Sequence, residues 1–297
     1  MLAEDRSMLL IGQALISGLL LGGVYAILAI GLSLTWGMLK VINLAHFAFA
    51  FLAAYLTYQI STSFGLDPFL TLLVTIPLFF LVGIGLQWFF NRFDVSEFNS
   101  LLVSFGLFII LQAIMAALWT ADYRRIDAAI NPYATESFWV GPFALPIPQF
   151  SSFIAAMIMA GLTIYVLHYT DVGKALRALS QDRDMAAAFG VNYQKMSMLL
   201  MGVSTAYAGA AGVFIAMIFA LFPEAGVEWI GVIFAVVILG GLANVPGAVG
   251  ASLLVGVVQA LTTALANPGM APLVTFTLLI AALLFKPEGL FTRRSTL

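Results

Sequence analysis

Between residues 229 and 285 the chain carries no Asp, Glu, Lys or Arg. A soluble fold needs charged surface over any such length, whereas a bilayer penalises a charge at its centre by roughly 2.5–3.5 kcal/mol on insertion scales. Residues 7–39, 68–91 and 150–167 are equally free of these side chains. The expected fold is therefore an all-α, polytopic integral membrane protein. Composition agrees, with 62% hydrophobic and 9% charged residues, against roughly 45–50% and 25% in soluble domains.

The 297 residues accommodate eight or nine crossings of about 20 residues each, as one transmembrane domain over 1–297. The expected spans are 9–36, 43–60, 68–90, 100–120, 151–169, 194–220, 229–243, 248–266 and 270–285. Residues 1–7 hold two acids and one base. The apolar run behind them exceeds a signal-peptide core, so a retained first helix is expected rather than a cleaved leader. A cytoplasmic C-terminus places Lys40, Arg92, Lys174, Arg177, Arg183, Lys195, Lys286, Arg293 and Arg294 inside, leaving Arg6, Arg124 and Arg125 outside. That asymmetry obeys the positive-inside rule. The net charge of −2 offers nothing for nucleic acid, and the absence of cysteine excludes disulfides and thiolate chemistry. No metal or cofactor site is expected in this chain.

Two polar segments interrupt the spans. Residues 121–150, rich in Pro and aromatics, read as a folded external loop with short strands or an interfacial helix, where Trp119 and Trp139 would sit at the headgroups. Residues 171–192 read as a cytoplasmic amphipathic helix over 172–189, ended by Gly190, with Asn192 capping the next span. Such a helix can lie on the lipid interface or fit a groove on a soluble partner.

Residues 173–190 (GKALRALSQDRDMAAAFG) resemble the cytoplasmic loop of the branched-chain amino-acid ABC transporter permease family, whose pattern is G-[RK]-A-[LM]-R-A-x-[AS]-[QE]-[DN]-x-x-x-A-x-x-x-G. Segments 18–25 (GLLLGGVY), 41–46 (VINLAH), 240–250 (GGLANVPGAVG) and 285–291 (FKPEGLF) resemble the same family in the same order. The resemblance implies that the cytoplasmic helix couples to an ATP-binding subunit through Gly173, Leu176, Arg177, Gln181, Asp182, Phe189 and Gly190. It further implies a second permease subunit, identical or not, and an external solute-binding protein. ATP and Mg would then sit on partner subunits: Gly173-Lys174 is followed by Ala175, so the chain has no P-loop of its own.

Polar side chains within spans are candidates for a solute path: Asn43, His46, Gln112, Thr205 and Asn244. Asn43 and His46 share one side of any helix they occupy. They would either line a path or satisfy a helix break after Lys40. Where the family continues with Gly and a small or acidic residue, this chain has Phe47-Ala48-Phe49, which would narrow and grease that wall. An aliphatic amino acid is the solute the family implies, with urea or a short amide as alternatives. Gly18, Gly22 and Ala26 would let two helices approach closely, within the subunit or between subunits. The segment 240–250 would be either a broken helix at depth or a plain turn, since Pro246 and its glycines interrupt it. Ion-coupled transport is disfavoured by the lack of mid-span acids, a channel by the coupling segment, and intramembrane hydrolysis by the lack of paired catalytic groups.

Overall fold

The structure is a computed structural model describing residues 2–286 and 289–291. Arg293, Arg294, and Pro287 and Glu288 of the closing motif lie outside the described residues, as does the side chain of Arg6.

Helix α1 (Leu2–Leu34) runs on into a π-helical turn, Thr35–Leu39; α2 is Ala45–Phe64 and α3 is Leu72–Arg92. Then come α4 (Glu97–Trp119), strands β1 (Ser137–Val140) and β2 (Phe143–Pro146), and α5 (Ile147–Tyr169). Short helices α6 (Asp171–Gln181) and α7 (Arg183–Ala188) precede α8 (Tyr193–Ile218), α9 (Ala225–Gly240), α10 (Val245–Leu265) and α11 (Ala271–Phe285). Seven of these segments are long and apolar enough to cross a membrane, counting the described residues. They are built on α1, α3, α4, α5, α8, α10 and α11. The other two expected spans are also helices: α2, which carries His46 and Gln59, and the shorter α9.

Burial sorts them into layers. The central windows of α1 and α8 are 72% and 83% buried, against 17% for α4 and α11. A helix apolar on all sides and also buried on all sides belongs at the centre, and α2 joins α1 and α8 there, with Ala45 to Phe51 all buried. Around this core, α10 and α5 pack on α1, α3 packs on α8, α4 packs on α2, and α11 lies against α9 and α10. The small-residue row proves to be internal. A Cβ on Gly18 would come within 2.6 Å of Val257 Cα, and one on Gly256 within 2.4 Å of the Gly18 carbonyl. The α1–α10 contact is thus backbone against backbone.

At one end of the bundle, β1 and β2 form an antiparallel hairpin turning at Gly141 (φ 61°). Gln13 of α1 grips it with both halves of its amide, donating to the Ala144 carbonyl (2.8 Å) and accepting from the Ala144 N–H (3.0 Å). Arg124 pairs its backbone with Leu221 at the same end. Trp139 is exposed and Trp119 half-buried. Its ring stacks on Tyr55 and its indole N–H donates to Gln59 Oε1 at 2.9 Å, tying α4 to α2.

Candidate functional site

The opposite end carries α6 and α7. The single helix expected over 172–189 is two helices, because Asp182 adopts extended backbone (φ −151°, ψ 109°). Its carboxylate accepts from the N–H groups of Asp184 (3.0 Å) and Met185 (2.9 Å), so it caps α7 rather than standing free. Gly190 takes the left-handed conformation expected of it (φ 85°), and Asn192 caps α8 through the Lys195 N–H.

Helix α6 is strongly amphipathic and its apolar face is used within the chain: Leu176 and Leu179 are buried. Gly173 makes this close seat possible, since a Cβ there would lie 2.2 Å from the Val166 carbonyl. Arg177 is half-buried, whereas Gln181, Met185 and Phe189 are exposed, Phe189 at 83%. Leu176 therefore anchors α6 on its own bundle, and Phe189 is the apolar group left facing outward.

Helix α6 also packs against the π turn Thr35–Leu39. The chain is irregular there. Lys40 has φ 58°, a left-handed conformation uncommon for a side-chain-bearing residue, and Ala243 in the α9–α10 turn has φ 57°. The two deviant segments meet at Gly37, where a Cβ would lie 2.3 Å from the Ala243 nitrogen.

Residues 40–44 then run unwound into the bundle before α2 begins. Irregular backbone at membrane depth is tolerated where protein satisfies it, and Ser104 of α4 does so. Its hydroxyl accepts from the Leu44 N–H (3.0 Å) and lies 3.1 Å from the Ile42 carbonyl as donor. Asn43 sits in this link and not on the helix with His46, so the two do not share a helical face. Its amide reaches Met201 Sδ at 3.6 Å. His46 donates from Nε2 to the Leu28 carbonyl (3.2 Å), and Gly31 exists at that level because a Cβ would lie 2.8 Å from the imidazole. Both residues have 0% exposure, and Asn43 Oδ1 and His46 Nδ1 have no hydrogen-bond partner among the described residues. Their surroundings are those of a sealed helix break.

The remaining polar positions are scattered. Thr205 is buried and bonds back to the Met201 carbonyl (2.8 Å), where Gly83 of α3 lies against it. Gln112 is half-buried on α4. Asn244 caps α10 by accepting from the Gly247 N–H (3.1 Å), and its amide also donates to the carbonyls of Gly240 and Phe291. Within the segment 240–250 the chain turns over 241–244 at the α6–α7 end, and helix α10 takes over from Val245. Phe47 and Phe49 are both buried, packed on Phe234 and Phe79.

The family model described as "Branched-chain amino acid transport system / permease component" matches residues 14–283. The chain belongs to this family. Curated relatives agree along their length. The high-affinity branched-chain amino acid transport system permease protein LivH of Salmonella typhimurium is 26% identical, with 95% of each chain covered. The corresponding protein BraD of Pseudomonas aeruginosa is 26% identical over 95% of each. A probable branched-chain amino acid transport permease protein LivH of Methanocaldococcus jannaschii is 26% identical over 96% of this chain and 92% of its own. No solved structure matches. Membership makes the chain a multi-pass permease of an amino-acid transport family.

Sequence reasoning missed the residues that hold the irregular parts together. Ser104, Gln13 and Tyr25 read as ordinary span residues, and only their partners give them roles. Gln259 is a weaker polar candidate within a span, of the kind that commonly stitches helices together, and it bonds Tyr25 and Thr275.

Proposed function

We propose that this chain is the membrane-spanning subunit of an ATP-driven importer for branched-chain or other aliphatic amino acids. Support for ATP coupling comes from one relationship above the rest: α6 touches the π turn that ends α1. A soluble ATPase engaging the exposed side of α6–α7, through Phe189, Gln181 and Arg177, would push on a helix seated directly on an irregular segment. Segments of π-helix are frequent at functional sites. Movement would pass from α6 to Thr35–Leu39, then along link 40–44 to α2, with Asn43 and His46 at the pivot.

The α6–α7 end bears Lys40, Arg92, Lys174, Arg177, Arg183, Lys195 and Lys286, while Arg124 and Arg125 lie at the hairpin end. By the positive-inside rule α6–α7 faces the cytoplasm, so Lys286 and the end of α11 do too, and the membrane is the cytoplasmic one. The partners are two ATP-binding subunits holding ATP and Mg, a second permease subunit, and a solute-binding protein that delivers its cargo at the hairpin end.

The test is co-purification in mild detergent from the native membrane. An ATPase subunit should accompany the tagged chain and be lost when 175–189 is deleted. Arg177→Glu should leave the chain folded while ATP hydrolysis no longer drives leucine uptake. A chain recovered alone that passes solute in liposomes without ATP would overturn the proposal.

A further inference from the structure

Near the hairpin end, α1, α5, α10 and the first residue of α11 border an open cleft of about 500 Å³, within the roughly 300–1,000 Å³ typical of small-molecule sites. Its lining combines small apolar side chains with Gln13, Ser17, Gln149, Gln259 and Thr263, and contains no ionisable group. The polar groups have distinct tasks. Gln13 is committed to the hairpin through Ala144 and to Ser17 Oγ at 3.1 Å, so it is a strut between rim and hairpin. Gln149, in the first turn of α5 directly behind β2, has a buried Oε1 with no partner among the described residues. Such an acceptor is costly in a membrane protein unless a donor arrives from elsewhere.

Gln259 closes one side. Its Oε1 accepts from the Tyr25 hydroxyl (2.6 Å) and its Nε2 donates to Thr275 Oγ1 (3.1 Å), joining α10 to α1 and α11. Beyond it lies a second cavity of about 200 Å³ that Gln259 also lines, together with Tyr25, Trp229 and Glu228. The Tyr25–Gln259–Thr275 string is therefore a partition between two spaces.

We propose that the larger cavity is the outward-side solute site, taking a zwitterionic amino acid with a short aliphatic side chain. Gln149 Oε1 receives the ammonium, the hydroxyls of Ser17 and Thr263 donate to the carboxylate, and Ala14, Ala260 and Leu21 contact the aliphatic part. A site of neutral amides and hydroxyls suits paired charges better than a net ion, which would find no counter-charge in the lining. The hairpin's hold on Gln13 and its continuity with Gln149 link an external partner mechanically to the site. This assignment rests on the importer reading and specifies where its solute sits.

The native chain lacks cysteine, so each introduced cysteine is its sole labelling site, read on this chain after the subunits are separated. Ser17→Cys, Thr263→Cys and, on the exposed face of the hairpin, Val140→Cys are placed separately in the complete complex in sealed vesicles. They are then labelled from the hairpin side with a membrane-impermeant maleimide. All three should label. Leucine at ten times its dissociation constant should slow the first two about tenfold and leave Val140→Cys unchanged. Leucine uptake is measured in the same vesicles. Uptake with no protection at either Ser17→Cys or Thr263→Cys would overturn the cavity assignment and leave the importer standing. Protection without ATP-dependent uptake would support the cavity and count against the importer.

Discussion

The guanidinium of Arg183 lies 3.6 Å from the centroid of the Tyr193 ring, clamping the first residue of α7 to the first residue of α8. This contact bridges the Gly190 turn and gives α7 a fixed attitude, although only Ala186 of that helix is buried. An exposed cation–π contact contributes about 0.5–1 kcal/mol. Tyr193→Leu should therefore raise amide exchange in α7 by roughly two- to fivefold, with α8 beyond its first turn unaffected. Hydrogen-exchange mass spectrometry reads this directly. Unchanged α7 exchange would mean that the capping carboxylate of Asp182 alone holds the helix.

Ser104→Ala strips the unwound link of its bracket, leaving the Leu44 N–H buried and unpaired. The expected loss is about 1–3 kcal/mol, seen as a lower Tm in detergent. Ser151→Ala is the control, because that hydroxyl bonds only the Pro148 carbonyl of its own helix. Equal effects of the two substitutions would show that Ser104 has no special role at the break.

Gly256→Ala and Gly106→Ala should move stability in opposite directions. The first drives a methyl into the Gly18 carbonyl and forces α1 from α10, costing about 1–3 kcal/mol. The second meets nothing within 4 Å and should gain about 0.5–1 kcal/mol from the better helix former. Thermal melts of both in one detergent settle the sign, and a neutral Gly256→Ala would contradict the close packing described.

Tyr133 donates to Asp67 Oδ2 at the hairpin end, joining the loop between α4 and β1 to the start of the α3 segment. That hydrogen bond, helped by some burial and the Asp67 charge, holds the phenol above its ordinary value of 10.0. The folded state therefore keeps the proton more tightly than the unfolded one. The stabilisation is fully present below pH 10 and is lost as pH rises from there through the raised value. Proteolysis of the 120–136 loop should accelerate above pH 10 in the native chain. Tyr133→Phe should already show the faster rate at neutral pH. A native cleavage rate independent of pH across that range would refute the link.

Read as a sequence, the chain determined its class, its spans and its family. Uncharged stretches of membrane length admit few structures besides helices, and all nine expected spans are helical within a few residues. The α6–α7 segment was legible in composition and pattern, as were Gly190 and Asn192, because caps and left-handed turns are local properties of the backbone. The break at Asp182 was not: helix propensity favours continuation there, and only the pairing of its carboxylate with two backbone N–H groups shows the interruption. Tertiary structure alone decided which polar groups are sealed and which face space. By pattern alone His46 and Asn43 read equally as path residues or as groups satisfying a helix break, because both are polar within a span. Their partners on α1 and α8, from 18 to 158 positions away, enclose them. Gln149 and Ser17 looked ordinary, yet they face a cleft assembled from four helices. In a bilayer almost every outward position is apolar, so a one-dimensional pattern marks what is membrane-embedded; which side chains meet one another depends on how the helices pack.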